Sequence, residues 1–146
     1  MEDNKGLVKV IDIETSSLLE EMLDHSSFPY KLKPEAKLHV VVIRDAYTDE
    51  LFVAEGDKIT KEWMKESLKG CKYLVQHNGV KFDLITLKLF SVLDYSIGYL
   101  KEPDTLFGED VKIVDTLILS RLFNPDRFGN HALDSWGERT GCAKMD

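Results

Sequence analysis

Asp12 and Glu14 stand two residues apart inside an apolar, β-branched run, Val8-Lys-Val-Ile-Asp-Ile-Glu-Thr15. A strand places side chains i and i+2 on one face, so the two carboxylates share a side. Paired carboxylates in a half-buried setting repel and resist ionisation. A divalent cation compensates both, and hard oxygen donors suit Mg²⁺ or Mn²⁺. Asp-x-Glu occurs once here, although 26 of 146 residues are acidic. The alternative is a strand end whose acidic pair faces solvent. A third candidate is Asp83, in His77-Asn-Gly-Val-Lys-Phe-Asp83, just inside an otherwise apolar segment. Its alternative role is to complement the N-terminal dipole of a helix. Asn78-Gly79 is equally a plain turn signal.

These acids need elements to position them. Residues 7–14 read as a strand. Residues 17–24 read as a short helix, with Ser17 and Glu20 spaced as a capping box. Residues 25–37 form a loop with Pro29 and Pro34. Strands at 38–45 and 51–55 flank turn chemistry at 47–50 and predict a hairpin. A helix follows at 60–69, with Thr60 as N-cap and Gly70 past its end. A strand at 72–76 leads to a helix over 80–94, apolar nearly all round. A fifth strand at 111–114 precedes helices at 116–123 and 131–139. Antiparallel strands first and crossover units after them predict an α/β fold. The expected architecture is ribonuclease-H-like: a mixed five-stranded sheet with flanking helices, the first strand central.

The composition fits one globular domain, 43% hydrophobic and 31% charged. A net charge of −7 argues against coating duplex DNA by bulk electrostatics. It is compatible with gripping a few nucleotides beside metal-holding acids. The lysines cluster locally at Lys31, Lys33 and Lys37, and at Lys65, Lys69 and Lys72. Cys71 and Cys142 have no CxxC spacing, which points to reduced thiols in a cytoplasm. His25, His39, His77 and His131 are too scattered for a zinc site. No apolar run reaches membrane-span length, so no membrane partner is expected. Trp63 and Trp136 read as packing residues in helices, and His131 either reaches substrate or holds its loop.

Four blocks in order, "DIET" (12–15), "HNGVKFD" (77–83), "VDTLILSRLF" (114–123) and "RFGNHALDSWGERTG" (127–141), resemble a known family. It is the proofreading 3′–5′ exonuclease domain of phage-type family A DNA polymerases, within the DEDD exonuclease superfamily. The resemblance spans essentially the whole chain, with an enlargement around 25–37. It implies a two-metal phosphodiesterase acting on the 3′ end of single-stranded DNA in a bacterial host's cytoplasm. Asp12 would bridge both ions, Glu14 would hold one near the terminal 3′-hydroxyl, and Asp83 would hold the other, partly through water. Two cations about 4 Å apart activate a water and stabilise the leaving 3′-oxygen. Thr15, Asn78 and Lys81 are the implied nucleotide contacts. Leu18 and Leu19 either pack on the terminal base or belong to a helix face.

One part of the family pattern is missing. The third motif, Tyr-x-x-x-Asp or His-x-x-x-Asp, occurs nowhere among the five tyrosines and four histidines. The expectation is a single exonuclease-like domain over 1–146, cut short before that motif and its fourth carboxylate. Asp115, before a helix starting at Thr116, reads as an N-cap. Such a chain would leave apolar surface near the first strand, inviting self-association, a polymerase domain or a downstream polypeptide. The competing reading is a catalytically idle module that binds nucleic acid or a polymerase subunit.

Overall fold

The computed structural model describes residues 4–26, 28–77, 82–123 and 131–141. The first strand, β1 (Val8–Thr15), alternates in burial: Lys9, Ile11 and Ile13 point inward, while Val10, Asp12 and Glu14 point outward. β1 runs antiparallel to β4 (Leu38–Asp45), pairing Ile11 with Ile43 and Ile13 with Val41. β4 forms the expected hairpin with β5 (Leu51–Glu55). On its other side β1 runs parallel to β6 (Tyr73–Gln76), and β6 runs parallel to β9 (Glu109–Asp115).

Two short strands, β7 (Tyr95–Ser96) and β8 (Asp104–Leu106), extend the sheet beyond β9. Among the described residues the main sheet therefore has seven strands, ordered β5-β4-β1-β6-β9-β8-β7, not five. Strands of two and three residues are too short to show a two-residue alternation, so only pairing with β9 defines them. A separate pair, β2 (Leu23–Asp24) and β3 (Lys31–Leu32), interrupts the expected loop. The mixed sheet, the flanking helices and the interior position of β1 match the expected α/β architecture.

One face of the sheet carries the core. Ile11, Ile43 and Leu74 pack with Met64 and Leu68, and with Leu84 and Leu87. Met64 lies in α2 (Lys61–Ser67), whose N-cap is Thr60: its hydroxyl accepts the Trp63 N–H at 3.1 Å. Leu84 and Leu87 lie in α3 (Asp83–Leu89). α3 stops five residues before the expected end. Ser91 takes a left-handed φ of 61°, with Ser91 N–H donating to Lys88 O and Val92 N–H to Leu87 O. That is a Schellman closure with serine where glycine is usual, so no glycine flagged it.

The capping box at Ser17 does not form. α1 is a single turn, Leu19–Met22, and its N-cap Leu18 makes no side-chain bond. α4 (Thr116–Phe123) and α5 (Leu133–Thr140) match the expected helices closely. No helix among the described residues is long and apolar enough to cross a membrane.

Candidate functional site

Of the three parallel strands, β1 runs on past the level at which β6 and β9 stop. The last β1–β6 pair is Val10 with Val75, whereas β1 continues to Thr15 against β4 alone. Gln76 ends β6 level with Asp115, the last residue of β9. Beyond the last β1–β6 pair this leaves a notch in the sheet beside β1, and the first residue of α3, Asp83, lies within electrostatic reach of Asp12 and Glu14 on that strand. Clefts at the carboxyl ends of parallel strands are the usual sites of α/β sheets.

Asp83 is 5% exposed. Burial raises its carboxyl above the ordinary 3.8, and the charges of Asp12, Asp115 and Glu14, in that order, push it to about 7. Every influence acts in the same direction, and no lysine or arginine among the described residues pairs with it. Asp12 and Glu14 lie on the solvent side of β1, where the strand periodicity placed them. The fold thus brings Asp12, Glu14 and Asp83 within electrostatic reach of one another.

Asp115 joins them. Its Oδ1 accepts the Leu117 N–H at 2.9 Å, which is the capping role read from the sequence. Its second part, a buried carboxylate acting on Asp83, was missed. The available signal was its position at the last register step beside Gln76, which pairing alone reveals. Beneath these acids lie two buried groups without hydrogen-bond partners: both amide atoms of Gln76 and the Thr86 hydroxyl, at 2% and 0% exposure. Gln76 neighbours Asp115 across the strands, and Thr86 lies one helical turn from Asp83.

The carboxylates of Asp12, Glu14, Asp83 and Asp115 offer oxygen donors only, the chemistry of a hard cation. Like charges around a buried carboxyl that pairs with no cation among the described residues are the setting in which such an ion is favourable. Among the described residues, no three His, Cys, Asp or Glu side chains stand close enough to form a finished metal cage. The acids are therefore convergent but not closed around a point.

The nucleotide contacts are placed unequally. Thr15 is half-buried, its hydroxyl donating to Ser17 O at 2.9 Å. Asn78 and Lys81 lie outside the described residues. His77 holds the side of the notch: its Nδ1 meets the Thr116 hydroxyl at 2.8 Å, and that hydroxyl donates to Gln76 O at 3.2 Å. With its proton given to Gln76, the hydroxyl accepts from Nδ1–H of His77. His77 and Thr116 also open an apolar groove of about 670 Å³ with Leu119, Leu122, Phe123 and Trp136. His131 holds its surroundings: its Nδ1 meets Ser120 Oγ at 2.7 Å, and Trp136 Nε1–H donates to the same oxygen at 2.6 Å.

No protein-family model matches the sequence. Across 92% of its length the chain is 28% identical to the DNA-directed DNA polymerase of Escherichia phage T7. It spans 19% of the length of that polymerase. The chain is therefore related in sequence to one part of a phage DNA polymerase.

Proposed function

We propose that this chain is a 3′–5′ exonuclease domain, the proofreading part of a phage-type DNA polymerase, working in the host cytoplasm. The observation that carries the reading is the burial of Asp83 where the charges of Asp12, Asp115 and Glu14 all act to raise its carboxyl, with no lysine or arginine paired to Asp83 among the described residues. Asp12, Glu14 and Asp83 would hold Mg²⁺ or Mn²⁺, with Asp115 adding charge behind Asp83. Such ions supply activation of a water and stabilisation of the leaving 3′-oxygen. The chain's own part is to fix the acids on rigid elements: β1 holds Asp12 and Glu14, and the N-terminus of α3 holds Asp83. The strand end would enter the notch past Thr15, with Asn78 and Lys81 as the further contacts that the family resemblance implies. The apolar side of α4, with Leu122 at 76% and Phe123 at 86% exposure, is the surface on which a polymerase domain, a downstream polypeptide or a second copy would dock.

The test is Mg²⁺-dependent digestion of a 3′-labelled single-stranded oligonucleotide. Asp12→Ala is expected to abolish it; loss of one such electrostatic stabiliser costs about a hundredfold or more. Digestion by the variant at the parental rate would end the metal assignment. The absence of the Tyr-x-x-x-Asp spacing favours a second reading, an idle nucleic-acid- or polymerase-binding module. In that case the parent binds oligonucleotide without shortening it.

A further inference from the structure

The two edges of the main sheet differ. β7 spans two residues and offers little backbone to pair with. At the opposite edge β5 spans five, Leu51–Glu55. The ladder decides which of its backbone groups look outward. Asp45 N–H donates to Glu50 O at 2.9 Å, so by antiparallel alternation Glu50, Phe52 and Ala54 turn their backbone groups towards β4. On the far side of β4, Ala46 N–H donates to Val8 O at 3.0 Å, which sets the same alternation. Leu51, Val53 and Glu55 therefore aim their N–H and C=O groups out of the sheet. Among the described residues no backbone group bonds to them there.

Edge strands are usually blunted by lysine, proline, a bulge or a covering segment. Leu51-Phe-Val-Ala-Glu55 contains no lysine or proline, and its register with β4 is unbroken. The turn after it, Gly56–Lys58, folds back against β4. Leu51 and Val53 are 58% and 47% exposed. The edge is complementary to itself. With a two-fold axis at Val53 the whole strand pairs antiparallel with a second copy: Leu51 exchanges backbone bonds with the partner's Glu55, and Val53 with the partner's Val53. Val42 is the register neighbour of Val53 in β4, so Val42 and Val53 of each copy form one apolar row across the junction. Like charges stay apart. Glu55 falls opposite Leu51, and Glu50 opposite Gly56. Asp49, the next acid outward, leaves the strand line at φ 60° and is paired with Arg44 at 3.2 Å.

We propose that β5 is a dimerisation edge, across which two copies of this chain join their sheets into one. The symmetry names the occupant: the two-fold that pairs all of β5 also brings valine onto valine and opposes no acids. The dimer is a weak one. A five-residue ladder is smaller than the roughly 1,200 Å² of a lasting interface. Two copies of net charge −7 also repel, so association needs high concentration and tightens with salt. The proposal uses neither the acidic notch nor the apolar side of α4, and it stands or falls apart from the exonuclease reading.

Sedimentation equilibrium of the parent up to about 1 mM, at low and high salt, reads the association. Val53→Pro removes an N–H that β4 does not use, so it should spare the fold and weaken association about tenfold or more. Val53→Lys keeps the N–H but sets two lysines opposite each other, and should weaken association to a similar degree. Unchanged circular dichroism shows that each variant folds. Amide exchange locates the contact: the Val53 N–H of the parent should gain protection as concentration rises. Should a variant misfold, that exchange measurement decides alone. A parent that stays monomeric overturns the proposal. So does association that persists in both folded variants, which assigns it to another surface such as α4. Association that loosens with salt, or that leaves Val53 exchange unchanged, overturns it as well.

Discussion

Asp45, at the end of β4, and Asp83, at the start of α3, are both buried aspartates, at 0% and 5% exposure. At Asp45, burial pushes the carboxyl up, but the N–H groups of Tyr47, Thr48 and Gly6 and the charge of Lys9 outweigh it, and the net shift is downward. Those donors lie at 2.9, 3.1 and 2.6 Å. Lys9 Nζ lies 3.9 Å from Asp45 and 4.4 Å from the Phe52 ring centroid. At Asp83, burial and every neighbouring charge push the same way. One region surrounds its anion with donors drawn from the fold. The other concentrates anions around Asp83, which pairs with no lysine or arginine among the described residues. A structural carboxylate is complete within the chain, whereas Asp83 meets only influences that raise its carboxyl.

The largest expected effect tests the complete region. Asp45→Ala leaves Lys9 buried without its partner and should cost about 3–5 kcal/mol in urea unfolding at neutral pH. A loss below 1 kcal/mol would show that the pair is not what holds β1, β4 and the Gly6 turn together.

Asp83→Asn tests the incomplete region, with the opposite sign. The folded protein holds the Asp83 proton up to about pH 7, the unfolded chain only to about 3.8. Folding therefore takes up a proton between those values. The contribution is fully present below the unfolded pKa and is lost as pH rises through the folded one. In metal-free buffer at pH 8, Asp83→Asn should be more stable than the parent by roughly 2–4 kcal/mol, and the gain should vanish near pH 4. Parallel stability curves for variant and parent would remove the like-charge account. The contribution of Asp45 runs the other way, present above its unfolded pKa and lost as pH falls through its lowered folded value.

Smaller effects sharpen the contrast. Mn²⁺ at pH 8 should raise the melting temperature of the parent and not that of Asp83→Asn, since only binding to the folded state stabilises. Gln76→Met replaces an unpartnered buried amide and should gain about 1 kcal/mol in urea unfolding. A loss instead would mean the amide serves a ligand in the notch. Thr60→Ala, far from both regions, should cost about 1 kcal/mol through its lost cap, and a null result would mean α2 is held by packing alone.

Much of the fold was legible because it rests on local rules. β1, the β4–β5 hairpin, α2 with its Thr60 cap, and α4 all follow from alternation, turn chemistry and capping. Gly70, at φ 76°, ends α2 where glycine suits a left-handed residue. What was not legible depends on distant partners. β7 and β8 exist because β9 offers an edge. The stop at Ser91 relies on a serine tolerating a glycine's conformation. β2 and β3 are held by Met22 at their root, not by their own propensity.

Local periodicity alone settled that Asp12 and Glu14 share a face, because alternation in a strand is a property of neighbouring residues. It also marked Asp83 as an acid at the start of an apolar helix. Only the tertiary structure decided that Asp83 would lie beside that pair and that Asp115 would join them. Parallel pairing of β1, β6 and β9 brings their carboxyl ends to one notch, and the repulsion that follows acts through space between groups far apart in the chain.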